Sequence, residues 1–119
     1  MSMSLQTGQV FWITGLSGAG KTTLACQLAE RLREHGRPTV VLDGDELRTV
    51  LAEFEVAGFG RQDRLELGLR YARLANVLAS QEVDVVVATI SMFNEVYEWN
   101  RHNIKRYVEI FVDVPIGEL

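Results

Sequence analysis

The stretch "FWITGLSGAGKTT", residues 11–23, decides the fold of this chain. Its central part, "GLSGAGKT" at 15–22, satisfies the pattern G-x-x-x-x-G-K-[ST]. Before it, residues 10–14 form a β-branched and aromatic run that predicts a buried strand, and helical apolar spacing after it predicts a helix over 21–35. This strand–loop–helix context favours a nucleotide-phosphate site over an accidental glycine-rich turn.

The residue types in this loop suit phosphate binding. Glycines let successive backbone N–H groups turn inward around an anion, and the helix that follows presents its positive end. A lysine adds a charge for the β- and γ-phosphates, and a hydroxyl can ligate Mg²⁺. The predicted ATP-binding residues are Gly15, Ser17, Gly18, Ala19, Gly20, Lys21, Thr22 and Thr23, with Thr22 as the metal ligand.

A pair of carboxylates follows the second predicted strand, 39–43, in "LDGDELR". Residues just beyond the carboxyl end of a strand lie on the ligand-binding edge of an α/β sheet. We therefore predict Asp45 as a general base and Asp43 as support for the water shell of Mg²⁺. The alternative is a turn followed by a helix cap. The third strand ends in "ATIS" without a carboxylate, which argues against a nucleotide hydrolase.

Strand and helix patterns alternate along the whole chain. This order predicts an α/β fold, a three-layer α/β/α domain of P-loop NTPase type spanning 1–119, with a mainly parallel sheet that breaks off after its fourth strand. The almost unbroken apolar run "DVVVATI" predicts a strand buried on both faces. The predicted strands are 10–14, 39–43, 84–90 and 107–114, the predicted helices are 21–35, 46–52, 63–80 and 93–103, and 53–62 is predicted as a loop.

The composition excludes several classes of function. The 119 residues are 47% hydrophobic and 24% charged with a net charge of −4, which indicates no general affinity for nucleic acid or for an anionic membrane. No apolar run approaches the roughly 18 residues of a membrane span. The single cysteine, Cys26, excludes an internal disulfide and is predicted to be a buried small hydrophobe in a cytoplasmic protein. His35 and His102 have no metal-ligand spacing and are predicted at the surface.

Five stretches together resemble the adenylylsulfate kinase family and occur in the family's order: "GLSGAGKTT", "VVLDGDELR", "GFGRQDR", "VVVATIS" and "VEIFVDVP". The resemblance implies transfer of the γ-phosphoryl group of ATP to the ribose 3′-hydroxyl of adenosine 5′-phosphosulfate, in sulfate assimilation. The catalytic residues predicted from the loop and the carboxylate pair are Asp45, Lys21 and Asp43. The resemblance also implies that the acceptor nucleotide is bound by Asp45, Arg48, Phe59, Arg64, Ile90 and Ser91. The alternatives are core packing for Phe59 and solvated helix faces for Arg48 and Arg64.

The departures from the family pattern fall on the acceptor side. Glu46 replaces the asparagine that usually follows "DGD", Leu67 replaces an acceptor-contacting asparagine, and "SMFNEVYEWNR" at 91–101 replaces a proline-containing run. Another small nucleotide or sugar-phosphate acceptor, in surface-polysaccharide metabolism, or a non-catalytic nucleotide-binding module therefore stays open. The family continues through a lid after the fourth strand, so we expect the chain to be a fragment of the family's domain whose own activity is uncertain. If the chain stands alone, we expect another subunit to cover the unfinished sheet edge, as in a homodimer.

Overall fold

A parallel four-stranded sheet organises the molecule. The computed structural model describes residues 7–15, 20–51, 60–89 and 93–112. The strands pair in parallel throughout, in the order β2-β3-β1-β4. Helices and strands alternate as β1 (Val10–Gly15), α1 (Lys21–Glu34), β2 (Thr39–Asp43), α2 (Gly44–Leu51), α3 (Arg61–Ala79), β3 (Asp84–Thr89), α4 (Asn94–Asn103) and β4 (Tyr107–Val112).

The two faces of the sheet bury alternate residues of each strand, as a period of two requires. Trp12 faces the helices α2, α3 and α4, whereas its neighbour Ile13 faces α1. Every residue of β3 is buried, because this strand lies inside the sheet and helices cover both faces. The predicted three-layer α/β/α architecture and the buried third strand are confirmed. None of the helices in the described part of the chain is long and apolar enough to cross a membrane.

Two helices begin earlier than the sequence pattern predicts. Helix α2 begins at Gly44 rather than at residue 46, because the Asp43 side chain accepts a hydrogen bond from the Glu46 N–H at 3.3 Å and so caps the helix. Helix α3 begins at Arg61 rather than at residue 63, after Gly60 in an extended conformation. Asp45 therefore lies in the first turn of a helix. The end of the predicted loop, 61–62, is helical.

The prediction for Cys26 is wrong, because its side chain is exposed. On α1 the buried positions are Ala25 and Ala29, and Cys26 is rotated by about 100° from Ala25, toward solvent. His35 and His102 are exposed, as predicted.

An ion pair closes the amino-terminal edge of the sheet, opposite the phosphate-binding loop. The Arg37 guanidinium donates to both carboxylate oxygens of Asp84, from Nη2 at 2.8 Å and from Nε at 3.0 Å. The backbone N–H of Gln9 donates to the same carboxylate at 2.9 Å. Asp84 is 2% exposed, so this contact ties the start of β3 to the segments that lead into β1 and β2.

Candidate functional site

The carboxyl end of β1 leads into the glycine-rich loop at the centre of the sheet. A Cβ atom at Gly15 would lie 2.6 Å from the carbonyl oxygen of Val112 in the neighbouring strand β4. The first glycine of the motif is therefore required by strand packing as well as by the loop. Of the predicted loop residues, Ser17, Gly18 and Ala19 lie outside the described part of the chain.

The first turn of α1 offers a positively charged surface to an anion. Gly20 precedes the helix with φ 89°, a conformation that favours glycine, and no described side chain caps the helix. Lys21 is 9% exposed, and the turn "KTTL" contains no acidic residue. The N–H groups at this helix end and the ammonium group of Lys21 together suit phosphate oxygens.

The acidic pair and the loop meet at Asp43 and Thr22. The Thr22 hydroxyl donates to Oδ2 of Asp43 at 3.4 Å, while Oδ1 accepts the Glu46 N–H that caps α2. The carboxylate thus caps α2 and also contacts the first turn of α1.

These oxygens suit a magnesium ion that keeps most of its water. A hydroxyl and a carboxylate are hard oxygen donors, and Mg²⁺ in nucleotide sites takes its other ligands from phosphates and water. Within the described ranges, no three His, Cys, Asp or Glu side chains come together as a metal cluster.

The structure describes only part of the predicted acceptor site. The backbone of Asp45 and of Arg48 lies in α2, but their side chains fall outside the described residues. Phe59, Ile90 and Ser91 also lie outside the described ranges. Arg64 and Thr23 are exposed on α3 and α1, near the amino-terminal ends of these helices. Their roles stay predictions.

Three contacts near this edge are not indicated by the sequence. The Tyr71 hydroxyl donates to the carbonyl oxygen of Gly44 at 3.0 Å, and the Arg61 guanidinium pairs with Glu95 at 2.7 Å. Arg61 also lies 5.1 Å from the ring centroid of Phe93, so it links the start of α3 to the start of α4. Tyr71 is one of the apolar-face residues of its helix, and nothing in the sequence indicates a hydroxyl partner 27 positions away.

Comparisons with known proteins agree with this geometry. A family model described as adenylylsulphate kinase matches residues 7–118. The chain is 42% identical over 110 residues to the cytidine diphosphoramidate kinase of Campylobacter jejuni, covering 92% of this chain and 63% of the relative. It is 43% identical over 112 residues to the adenylyl-sulfate kinase of Gloeothece citriformis, covering 94% and 62%. The chain therefore spans about three fifths of the length of these curated relatives.

A solved structure shows the same fold. The Mycobacterium tuberculosis APS kinase CysC in complex with AMPPNP and APS superposes with a TM-score of 0.84 at 34% identity, covering 95% of this chain and 66% of that one. The family model covers nearly the whole chain, and each of the two relatives covers more than nine tenths of it at over 40% identity. On this evidence the chain belongs to the adenylylsulfate kinase family of P-loop kinases.

Proposed function

We propose that this chain binds Mg-ATP and transfers its γ-phosphoryl group to a small nucleotide acceptor. The observation that carries the proposal is the contact between Thr22 and Asp43, beside the buried Lys21 at the start of α1. This contact places a hydroxyl, a carboxylate and an ammonium group at the amino-terminal end of α1, the helix that follows the glycine-rich loop. Phosphoryl transfer depends on such positioning and charge neutralisation.

Each residue then has one task. Mg²⁺, when bound, neutralises charge on the β- and γ-phosphate oxygens. Thr22 would hold the ion and Asp43 would orient its water, while Lys21 would bind phosphate oxygens directly. Asp45 lies two positions beyond Asp43, in the first turn of α2, and accepts the proton of the acceptor hydroxyl.

The first candidate acceptor is adenosine 5′-phosphosulfate, phosphorylated at its ribose 3′-hydroxyl. Membership of the family supports it, as does the stretch "GFGRQDR", which ends in the exposed Arg64. A guanidinium group suits sulfate and phosphate oxygens. The side chains proposed to complete this acceptor site are Arg48, Phe59, Ile90 and Ser91.

The second candidate acceptor is cytidine diphosphoramidate. It is supported by the relative from Campylobacter jejuni and by Leu67, which replaces the family's acceptor-contacting asparagine. Leu67 is half-buried and packs against the apolar core, so no amide is available at this position for an acceptor. A kinase that uses the same donor and another nucleotide acceptor is expected to differ from its relatives on the acceptor side and not in the glycine-rich loop.

Nucleotide binding is tested first, by calorimetry with Mg-ATP. The chain contains two lysines, and Lys105 is exposed just before β4, at the opposite edge of the sheet. Lys21→Ala is expected to weaken Mg-ATP binding by about thirtyfold or more, since it removes a charge-assisted contact. Lys105→Ala, the matched control, should bind as the wild type does. Equal affinities of wild type and Lys21→Ala would remove the basis of the proposal.

The acceptor is tested with γ-labelled ATP and a panel that contains adenosine 5′-phosphosulfate, cytidine diphosphoramidate and simple sugar phosphates. Label in one product identifies the acceptor. Tight ATP binding without transfer to any member of the panel would favour a non-catalytic nucleotide-binding module. Phosphate release at the same rate with and without acceptor would favour a hydrolase.

A further inference from the structure

We propose that Tyr71 is a positioning residue, which holds the backbone of Asp45 in place for phosphoryl transfer. The inference deepens the proposed function and rests on it. Tyr71 lies on α3, is 4% exposed, and donates its hydroxyl hydrogen to the carbonyl oxygen of Gly44 at 3.0 Å. That carbonyl belongs to the peptide bond that joins Gly44 to Asp45.

Gly44 is also held from its Cα side. A Cβ atom at this position would lie 3.1 Å from the carbonyl oxygen of Ala88 and 3.2 Å from Oγ1 of Thr89. The backbone of Gly44 thus approaches the end of β3 more closely than a residue with a side chain would do comfortably. A close approach at the Cα and a hydrogen bond at the carbonyl together leave this peptide little freedom to shift.

The start of α2 needs such an anchor. The helix has 8 residues, and isolated helices of that length are not stable in water, so its position depends on tertiary contacts. Its described contacts with the core include the buried Leu47, the close approach of Gly44 to the end of β3 and the hydrogen bond from Tyr71 to Gly44. Asp43 and Asp45 flank the anchored glycine, and a displacement of about 1 Å in a catalytic group can lower a rate by about a hundredfold.

A buried tyrosine hydroxyl in this place also explains why a polar group is kept among apolar neighbours. Tyr71 packs in the same cluster as Ala72 and Ala75, where a phenylalanine ring would fill the same volume. The hydrogen bond from this hydroxyl to the carbonyl oxygen of Gly44 restrains the backbone there, since the bond is lost if the peptide moves.

The test compares two substitutions that each remove one hydroxyl. Tyr71→Phe removes the contact with Gly44. Tyr107→Phe removes a half-buried hydroxyl that contacts Asn100 and Glu109 at the other edge of the sheet. Three measurements are made on both variants and on the wild type: amide hydrogen exchange at 44–47, Mn²⁺ affinity of the ATP complex by electron paramagnetic resonance, and kcat with KM for ATP.

For Tyr71→Phe we expect faster exchange at 44–47, Mn²⁺ binding weakened by about fivefold, and kcat lowered by about tenfold with KM for ATP within about twofold. Tyr107→Phe should change none of these beyond about twofold. Faster exchange at 44–47 with unchanged Mn²⁺ affinity and unchanged kcat would make Tyr71 a structural residue only and overturn the proposal. Unchanged exchange would overturn it as well.

The failure of the proposed function is distinguishable from the failure of this inference. A wild-type chain that binds Mn-ATP and transfers nothing contradicts the kinase, whereas the exchange at 44–47 and the Mn²⁺ affinity of the two variants still decide whether Tyr71 positions the acidic segment. If the wild type binds no nucleotide, a kinase role for Tyr71 is overturned together with the proposed function.

Discussion

The Thr22 hydroxyl donates a hydrogen bond to the Asp43 carboxylate at 3.4 Å across 21 positions of sequence. The contact exists because α1 packs over β3 and β2 on one face of the sheet, which brings the first turn of α1 to the end of β2. Because Thr22 and Asp43 belong to separate segments, a substitution at one of them can change the site while the other segment stays folded.

Asp43→Asn separates the two tasks of this residue. Asparagine caps helices about as well as aspartate, so we expect the free energy of unfolding to stay within about 0.5 kcal/mol of the wild type. The lost charge beside Thr22 should raise the Mg²⁺ concentration needed for ATP binding by about tenfold. Calorimetry at a series of Mg²⁺ concentrations measures the second effect, and Asp43→Ala, which removes the cap as well, should also lose stability. An unchanged Mg²⁺ requirement would make Asp43 a cap alone.

Asp45→Asn tests the proposed general base. We expect turnover to fall by about a hundredfold or more while the affinity for Mg-ATP changes by less than about threefold, because proton acceptance matters only in the transfer step. Labelled-ATP assays and calorimetry on the same preparation give both values. Glu66→Gln, which neutralises an exposed acid on α3, is the control. Equal losses of binding and turnover would instead assign a structural role to Asp45.

Asp84 gives the stability of the fold a pH dependence. Burial opposes ionisation of this carboxyl, but the hydrogen bonds from Arg37 and from the Gln9 backbone outweigh burial, so the pKa of Asp84 lies below its ordinary value. A lowered folded-state pKa contributes stability that is present above the unfolded value, about 3.9, and is lost as the pH falls through the folded value.

Asp84→Asn is therefore expected to lower the free energy of unfolding by about 2–3 kcal/mol at pH 7, less than for a fully buried pair because Arg37 is 33% exposed. The difference from the wild type should shrink below about pH 4. Urea unfolding at pH 7, 5 and 3.5 measures it. Arg101→Met, which breaks the more exposed pair with Glu109, should leave the free energy of unfolding almost unchanged, because solvent screens that pair. If the difference in free energy of unfolding between the wild type and Asp84→Asn is the same at all three pH values, the lowered pKa of Asp84 is contradicted.

Glu82 occupies a position at the end of α3 that favours glycine. Its φ is 67°, its N–H donates to the Ala79 carbonyl at 3.1 Å, and the Val83 N–H donates to the Leu78 carbonyl at 3.4 Å. This pair of bonds is the Schellman arrangement, in which the left-handed residue is usually glycine. Helix α1 ends in the same arrangement, with Gly36 at φ 79° in the corresponding place.

Glu82→Gly is expected to raise the free energy of unfolding by about 0.5–1 kcal/mol, because glycine relieves the left-handed strain. Gly36→Ala should lower it by about 1 kcal/mol for the opposite reason. Thermal or urea unfolding measures both. Gln81→Gly, one residue away and without a positive φ, controls for added chain flexibility and should not stabilise the protein. A stabilisation by Gln81→Gly equal to that by Glu82→Gly would argue against the strain.

The fold and the donor side of the site follow from short-range signals in the sequence. The glycine-rich loop marks the turn from β1 to α1, and the continuous apolar run of β3 marks a strand with both faces covered. Each of these patterns spans about ten residues or fewer. The alternation of strands and helices then indicates a parallel sheet with helices on both faces. The prediction for Cys26 is wrong because it relied on the residue type, cysteine, and not on the position of residue 26 relative to the buried Ala25 and Ala29 on α1.

The contacts that join distant segments could not be predicted in this way. Arg37 and Asp84 are 47 positions apart, and Tyr71 reaches Gly44 only because α3 packs on the face of the sheet from which α2 begins. Such contacts depend on which strands are neighbours and on where each helix begins. Helix α2 begins at Gly44, so Asp45 lies within the helix. The residues Asp-Gly-Asp favour a turn, and their sequence alone therefore did not predict a helix at this position.

The glycine-rich loop follows β1, an inner strand, whereas the acidic segment lies at the end of β2, an outer strand. Strand β1 is paired along its length with β3 on one side and with β4 on the other, so the loop that follows it continues from a strand that is held on both sides. The acidic segment follows β2, an outer strand, and the proposed acceptor residues come from helix starts and connecting segments. Under the proposed function, substitutions in those outer segments would change the acceptor without altering the inner strand from which the phosphate-binding loop continues.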